Sequence, residues 1–239
     1  MEIVNKLLNF KDMSIVQNTD WFNFSLDSVL LSNFVSINKN TNKIIDFCTG
    51  NAPIPLILST KTNANIIGVE LQKEVYELAK KSVEINNLQD RIEILNMNVK
   101  DLYNKYDTDT FDVITCNPPF FKVNDNSKFN KNDIKTVARH EIEINLDNIF
   151  SIAKKLLKNN GVISIVHRPD RLVEILEIMK KNNIEPKKIQ FVYPKLNSEC
   201  NIVLVEGSKN GNSGLKILPP LYVHDENGKY LDEIEEMFQ

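Results

Sequence analysis

The chain has 239 residues, of which 42% are hydrophobic and 26% charged, a composition typical of a globular protein with a sizeable core. Its formal net charge of −3 argues against indiscriminate binding to nucleic acid but leaves room for a local basic surface. It contains neither an apolar run of transmembrane length nor a secretory signal, and its scattered cysteines lack metal-ligand spacing. These features predict a cytoplasmic protein without a metal site.

The first forty residues are predicted to form an extension before the core. Residues 14–17 and 22–24 have the pattern of a short hairpin. Apolar residues at helical spacing then predict a helix over residues 26–37, which Ser25 is placed to cap. Asp27 falls in the first turn of this helix, where the helix dipole favours a carboxylate.

From residue 43 onwards, strand and helix patterns alternate. Strands are predicted over residues 43–46, 66–69, 92–95, 111–116 and 162–166, and helices from 53, over 72–86, from 149 to 157 and from 172 to 183. Two more strands, 187–193 and 201–205, follow with only a loop between them. Alternation indicates a parallel, doubly wound sheet, and the final pair indicates one inserted antiparallel strand. We therefore predict an α/β fold with helices on both faces of a mostly parallel sheet.

The C-terminal part is predicted to be a tail rather than a second domain. Gly207, Gly211 and Gly214 suggest a flexible turn, and the apolar residues near the end fit one short helix. No linker of the expected composition divides the chain. We predict a single domain made of an extension (1–40), a core (41–207) and a tail (208–239).

An acid at the end of the first core strand and another at the end of the next are typical of a nucleotide-type site. Asp46 precedes Gly50, where the missing Cβ lets the backbone bend sharply and approach a ligand. Glu70 is placed to accept hydrogen bonds from both hydroxyls of a ribose. Cys48 and Ala52 stand where a phosphate-binding turn would have glycines. S-adenosylmethionine, which has a ribose and an adenine but no phosphate, therefore fits better than NAD.

Two further residues fit the same ligand. Asn98 follows the third core strand and is placed to read the N6 edge of an adenine, while Val99 can donate a backbone N–H to a ring nitrogen. The alternative is that Asn98 only shapes the loop. Asp46 is placed to hold the ammonium group of the methionine moiety, directly or through water.

A stiff corner follows the strand 111–116. Its sequence is Asn117-Pro118-Pro119-Phe120, and consecutive prolines forbid both helix and ladder pairing. The Asn117 side-chain carbonyl and the Pro118 backbone carbonyl can accept both hydrogens of one planar NH2 group, and Phe120 offers a face on which a ring can stack. Holding both hydrogens favours a pyramidal nitrogen and directs its lone pair at an electrophile. A plain proline turn is the alternative.

The stretch between the corner and residue 144 has no regular period and is rich in basic residues. They are Lys122, Lys128, Lys131, Lys135 and Arg139. Such a segment can grip the phosphates of an RNA backbone and become ordered on binding. The alternative, a solvated lysine-rich loop, stays open.

Five stretches together resemble the bacterial tRNA adenine-N6 methyltransferases, which act on the adenine beside the anticodon of valine tRNA. They are residues 22–31, with the pattern Phe-x-Phe-x-x-Asp-x-x-Leu-Leu, and residues 46–55, 117–121, 138–141 and 204–209. The resemblance implies a Rossmann-like, seven-stranded methyltransferase sheet, S-adenosylmethionine as methyl donor and N6-methyladenosine in tRNA as product. From the composition we expect no metal and no membrane partner, and we expect a monomer.

The resemblance also assigns residues to the two halves of the site. The target base would be held by Asn117, Pro118, Pro119 and Phe120. The donor would be held by Asp27, Asp46, Cys48, Thr49, Gly50, Asn51, Glu70, Leu71, Asn98, Val99 and Asn117.

Three other functions remain alternatives. A glutamine amide presents the same NH2 geometry, so a protein glutamine methyltransferase of the release-factor type is one, although those enzymes carry a larger helical domain before the sheet. A methyltransferase acting on a base of ribosomal RNA is the second. The third is a catalytically silent RNA-binding module, against which the intact corner at residues 117–120 argues.

Overall fold

The computed structural model of the protein describes residues 1–7, 10, 12–19, 25–119 and 144–239. Within these ranges the strands are β1 (Glu2–Lys6), β2 (Ser14–Asn18), β3 (Lys43–Phe47), β4 (Asn65–Glu70), β5 (Ile92–Asn96), β6 (Phe111–Cys116), β7 (Leu157–His167), β8 (Ile184–Lys195), β9 (Ile202–Lys209), β10 (Lys216–Ile217) and β11 (Leu221–His224). The helices are α1 (Leu26–Phe34), α2 (Pro53–Lys61), α3 (Lys73–Ile85), α4 (Leu102–Lys105), α5 (Leu146–Leu156), α6 (Leu172–Lys181) and α7 (Asp232–Glu236).

The central sheet has the strand order β10-β8-β9-β7-β6-β3-β4-β5, and β11 also pairs with β8. Strand β9 runs antiparallel to both of its neighbours, β7 and β8, whereas the other pairings are parallel. This confirms the predicted mostly parallel sheet with one inserted antiparallel strand. Strands β10 and β11 extend the edge beyond the predicted seven, because the sequence pattern gave no sign of such short strands around Pro219 and Pro220.

Helices cover both faces of the sheet, as predicted. Alternate residues of one strand face opposite layers, so Ile44 packs in a core layer with α1, α2 and α3, and Ile45 in a layer with α4, α5 and α6. Among the described residues, no helix is long and apolar enough to cross a bilayer.

The N-terminal strands pair differently from the prediction. Strand β2 pairs with β1, not with residues 22–24, which lie outside the described residues. The other edge of β2 is satisfied by Ser82 of α3 and by Asn86, the residue directly after that helix. Ser82 Oγ accepts from the Val16 backbone N–H at 2.9 Å, and Asn86 bonds the backbone of Ser14 in both directions, at 2.9 and 2.7 Å. These contacts fix the extension to the core.

A buried carboxylate connects the end of α1 to the sheet. Glu206 of β9 is 3% exposed and accepts three hydrogen bonds, from the Ser36 backbone N–H (2.7 Å), the Ser36 hydroxyl (2.6 Å) and the Ser164 hydroxyl (2.7 Å). Lys188 of β8 lies 3.3 Å from the same carboxylate. A buried charge is tolerated only when it is paired and hydrogen-bonded in this way. The chain leaving α1 is therefore held against three strands.

Gly207 was predicted to lie in a flexible turn, and this is wrong. It lies inside β9, paired with Ile163 of β7, because the strand continues to residue 209. A Cβ on Gly207 would lie 2.0 Å from Met179 Cε, 2.8 Å from Ile184 Cγ2 and 3.0 Å from the Glu185 backbone oxygen.

We therefore expect Gly207→Ala to lower the free energy of unfolding by about 1–3 kcal/mol, the usual cost of overpacking a core. Denaturant unfolding measures this directly. Gly211→Ala is the control, because its nearest neighbours are atoms of Ser208 at 3.1 Å or more, and a smaller loss is expected there. Equal losses in the two variants would contradict the close packing of β9 against α6.

Candidate active site

The predicted site residues gather at one edge of the sheet. Strands β3, β4 and β6 are parallel, and register pairs Phe47 with both Val69 and Cys116, so their carboxyl ends are neighbours. The chain order reverses at the β3–β6 pair, which in open α/β sheets is where ligands bind. The structure thus brings the turn after Asp46, the acid Glu70 and the corner at Asn117 to the same edge.

The turn between β3 and α2 has three residues in the left-handed conformation that favours glycine, and only one of them is a glycine. Cys48, Gly50 and Ala52 all have left-handed conformations, with φ of 57°, 59° and 71°. A side chain in this region costs about 1–2 kcal/mol at Cys48 and again at Ala52. The turn is held by a hydrogen bond from the Thr49 N–H to the Val69 carbonyl at 2.9 Å. The departure of Cys48 and Ala52 from the expected glycines therefore leaves the backbone path intact.

Asp46 is a buried carboxylate with an unused acceptor. It is fully buried, and its Oδ1 accepts a hydrogen bond from the Thr115 hydroxyl at 2.6 Å. Its Oδ2 and the Thr49 hydroxyl, also buried, make no hydrogen bond of good geometry among the described residues, although the Thr49 hydroxyl is close enough to lower the pKa of the Asp46 carboxyl. Burial raises the pKa of the Asp46 carboxyl to about 7. Buried acceptors are nearly always satisfied, so this pair points to a cationic or hydrogen-bonding group of a ligand.

Glu70 helps to shape the turn and faces the same site. It is 4% exposed, its Oε2 accepts from the Gly50 N–H at 3.0 Å, and its Oε1 accepts from the Gln72 N–H at 2.9 Å. Burial raises the pKa of the Glu70 carboxyl, and the backbone hydrogen bonds oppose that rise. Each carboxylate oxygen can accept more than one hydrogen bond, so these contacts are compatible with a ribose diol.

The three residues predicted to hold the adenosine moiety, Glu70, Asn98 and Val99, line one small cavity. Its lining consists of Cys48, Val69, Glu70, Leu71, Asn98, Val99 and Ile144. About 30 Å³ is available inside it, which is room for water but not for an adenine, so a bound adenosine must extend beyond it or displace a side chain. Asn98 Oδ1 accepts from the Lys100 N–H at 2.9 Å and so caps the short helix that follows. The contact of Asn98 with adenine stays a prediction.

Replacing Glu70 with alanine is expected to weaken binding of the donor by at least about tenfold, because a charged acceptor for two hydroxyls is lost. Glu70→Gln keeps one carbonyl oxygen, so its affinity for the methyl donor should lie between those of wild type and Glu70→Ala. Isothermal titration with S-adenosylhomocysteine measures both. Glu74→Ala is the control, an exposed acid in the first turn of α3. Unchanged affinity in Glu70→Ala would move the ribose contact elsewhere.

The corner itself lies directly after β6, with Asn117 partly exposed and Pro118 buried. The Asn117 side-chain amide nitrogen lies 3.4 Å from the hydroxyl of Ser28 on α1 and donates to it. Sequence reasoning missed Ser28, whose only signal was its place in the motif at residues 22–31. Phe120 lies outside the described residues, as do Lys122, Lys128, Lys131, Lys135 and Arg139.

Asp27 and Asn51, two residues predicted to contact the methyl donor, interact with other groups of the protein in this structure. Asp27 lies in the first turn of α1, as predicted, and burial raises the pKa of its carboxyl while the charge of Arg168 opposes that rise. Ser25 occupies the N-cap position without a capping side-chain hydrogen bond. The buried Asn51 side chain donates to the Val16 carbonyl at 2.9 Å and so ties the turn to β2. The donor contacts of Asp27 and Asn51 stay predictions.

Comparisons with known proteins agree with this geometry. The methyltransferase small domain family matches residues 26–183. A tRNA1(Val) (adenine(37)-N6)-methyltransferase of Cytophaga hutchinsonii is 25% identical over 79% of this chain and 78% of its own length. One of the same name from Christiangramia forsetii is 25% identical over 98% of this chain and 97% of its own.

Among solved structures, a predicted O-methyltransferase, protein Atu636 of Agrobacterium tumefaciens, superimposes with a TM-score of 0.71 at 18% identity. The match covers 89% of this chain and 95% of that one. At this identity the similarity concerns the fold alone, and it confirms the predicted Rossmann-like methyltransferase architecture.

Proposed function

Because the chain belongs to the methyltransferase small domain family, we propose that it transfers the methyl group of S-adenosylmethionine to N6 of an adenine in tRNA, near the anticodon of valine tRNA. One observation carries this proposal. The corner that begins at Asn117 leaves β6 beside β3, the strand that carries the buried carboxylate of Asp46, whose Oδ2 has no hydrogen-bond partner among the described residues. A site for a flat amine and a site for a cationic donor are therefore neighbours on one sheet edge.

The residues present fit the donor. Asp46 Oδ2 and the Thr49 hydroxyl offer buried polar atoms for the ammonium of the methionine moiety. Glu70 offers a carboxylate for the ribose, and the cavity that it lines with Asn98 and Val99 is the proposed position of the adenine edge. The absence of a glycine-rich phosphate turn agrees with a donor that has no phosphate.

The chain contributes positioning and electrostatics rather than a strong base. When bound, S-adenosylmethionine supplies an electrophilic methyl group on a sulfonium. The Asn117 side-chain carbonyl and the Pro118 backbone carbonyl accept the two hydrogens of the adenine amine and direct its lone pair along the line of attack. Phe120 stacks on the base, which must leave its loop stack to reach the corner. The proton leaves to solvent, because the methylated, positively charged nitrogen is strongly acidic.

The sharpest test separates the substrate classes. The protein is incubated with labelled donor and, in separate reactions, total tRNA, total ribosomal RNA and a release factor, and the labelled product is mapped. We expect label in tRNA as N6-methyladenosine, at a single adenine near the anticodon. Label confined to ribosomal RNA or to glutamine would replace the proposed substrate by one of the two alternatives. No label in any arm would support the silent module.

The basic residues between 122 and 139 are proposed to contact tRNA phosphates. Changing Lys128, Lys131 and Lys135 together to glutamine should reduce the slope of the salt dependence of tRNA binding by up to about 2–3, because each released counterion contributes about 0.7–0.9. Filter binding over a range of salt concentrations measures the slope. The control triple is Lys39, Lys73 and Lys216, which are exposed elsewhere. An unchanged slope would leave the segment a solvated loop.

We also propose that the whole chain acts as one domain. The relative from Christiangramia forsetii, which aligns over 98% of this chain, supports this organisation. An activity on tRNA belongs in the cytoplasm, and a monomer is the proposed state.

A further inference from the structure

The side chain of Asn117 has a polar neighbour that lies far away in sequence. Its amide nitrogen, Nδ2, donates to Ser28 Oγ at 3.4 Å. Ser28 is 3% exposed, so bulk water has little access to replace this contact. The Ser28 carbonyl accepts from the Ser32 hydroxyl at 2.7 Å, one turn further along α1. The hydroxyl beside Asn117 thus belongs to a buried, hydrogen-bonded part of the helix.

The orientation of an asparagine amide decides which end faces the substrate. One end is a carbonyl acceptor and the other an NH2 donor, and the torsion that exchanges them is broad and roughly two-fold. In the productive orientation Oδ1 faces the amine of the substrate. After a flip, two N–H groups would face the amine hydrogens and repel them. A contact that holds Nδ2 on the opposite side therefore selects the productive orientation.

Helix α1 is well suited to provide that contact. The chain leaving it is fixed by the hydrogen bonds from Ser36 to the buried carboxylate of Glu206. Val29, Leu30 and Leu31, which follow Ser28, are at most 1% exposed. A side chain on a packed helix is positioned more rigidly than one on a loop.

We propose that Ser28 is a positioning residue for methyl transfer. It holds the amide nitrogen of Asn117, so that Oδ1 points to the amine that is methylated. This rests on the proposed function, since it presumes that Asn117 accepts from the substrate. Ser28 does not touch the substrate and acts only through Asn117.

The first test compares three variants in single-turnover and steady-state assays. Ser28→Ala is expected to lower kcat about tenfold, the equivalent of one hydrogen bond of ordinary strength, with the donor KM within twofold of wild type. Ser28→Thr keeps the hydroxyl and should recover most of kcat. Ser32→Ala is the matched control, because it removes a buried hydroxyl from the same helix without touching Asn117. A kcat of Ser28→Ala within twofold of wild type, or an equal fall in Ser32→Ala, would overturn the proposal.

The second test asks whether the fall in kcat caused by Ser28→Ala depends on the side-chain amide of Asn117. In Asn117→Asp the side chain ends in two equivalent oxygens, so either orientation presents an acceptor. The fall in kcat caused by Ser28→Ala should then shrink from about tenfold to less than about threefold in the Asn117→Asp background. If Ser28 only supported the packing of α1, the same loss would occur in both backgrounds, and the proposal would be rejected.

A spectroscopic readout separates this inference from the proposed function. In the amide-region NMR spectrum of 15N-labelled protein, the side-chain NH2 pair of Asn117 is identified by its loss in Asn117→Asp. Ser28→Ala should shift this pair, whereas Ser32→Ala should leave it in place. If the Asn117 NH2 signals do not shift in Ser28→Ala, the contact between Ser28 and Asn117 is contradicted even if tRNA is methylated. A shifted pair in a protein that labels no tRNA would reject the substrate and keep the contact.

Discussion

Replacing Asn117 with alanine is expected to lower methyl transfer by at least about a hundredfold, the usual loss when one preorganised hydrogen-bonding group is removed from an active site. The substrate amine would lose one of its two acceptors, and its lone pair would no longer be held toward the methyl group. Asn117 follows β6, whereas Asp46 lies next to the last residue of the neighbouring strand β3, and Glu70 is the last residue of β4. Donor affinity should therefore stay within a few-fold of wild type.

The two halves of this prediction need separate measurements. Turnover is measured with labelled donor and tRNA, and donor affinity by titration with S-adenosylhomocysteine. Asn117→Asp serves as the comparison, because a carboxylate oxygen can also accept a hydrogen bond from the amine, and we expect this variant to retain activity. Wild-type turnover in Asn117→Ala would remove the role assigned to Asn117.

Replacing Asp46 with asparagine is expected to have opposite effects on stability and on donor binding. Burial raises the pKa of the Asp46 carboxyl from 3.8 to about 7, so the native state holds its proton more tightly than the unfolded state. The stability that this group contributes is present below pH 4. It is lost as the pH rises to about 7, by roughly 4 kcal/mol at 1.36 kcal/mol per pKa unit.

Asp46→Asn removes this ionisation. The variant should therefore gain stability relative to wild type between pH 5 and pH 8, and its melting temperature should exceed that of wild type at pH 8. Asp112→Asn is the control, because its expected effect on stability is the opposite. The Lys158 side chain and the backbone N–H groups of Asn42 and Lys43 bond Asp112 and lower the pKa of its carboxyl despite partial burial. Asp112→Asn should therefore destabilise the protein at neutral pH, and its cost should vanish in acid.

Donor binding should change in the other direction. A cationic donor favours the ionised form of Asp46, so the affinity of wild type should increase as the pH rises toward and through about 7. Asp46→Asn should bind the donor at least about tenfold more weakly at pH 8, with a smaller pH dependence than wild type. Titrations from pH 5.5 to 8.5 measure this. A wild-type affinity independent of pH would mean that Asp46 does not face the positive charge of the donor.

Local sequence patterns were sufficient to predict the position of those candidate site residues that lie at the ends of strands. Asp46 and Glu70 each follow a β-branched apolar run, and two prolines after Asn117 mark where another such run ends. Parallel strands end at the same sheet edge, so their order along the chain predicted that these residues meet. The same reasoning predicted β9 as the inserted strand but ended it at residue 205, because Gly207 looks like a turn residue when its neighbour Met179 is unknown.

Contacts between distant segments could not be read from such patterns. Ser28 and Asn117 are 89 positions apart, and no periodicity in either segment indicates that they touch. Pairing of β2 with β1 depends on which edge of β2 the side chains Ser82 and Asn86 occupy, 66 to 72 positions later. Asn51 was assigned to the donor because of its position in the turn, whereas its amide also bonds β2.

The bond from Asn51 to Val16 also bears on truncation of the protein. The family match begins at residue 26, yet the Val16 carbonyl that satisfies this buried amide belongs to β2, upstream of that boundary. A chain cut back to the matched region would lose the hydrogen bond that ties the turn between β3 and α2 to β2, at a cost of about 1 kcal/mol. We therefore expect the smallest unit able to bind the methyl donor well to be larger than the matched region, and deletions at the amino end to weaken that binding.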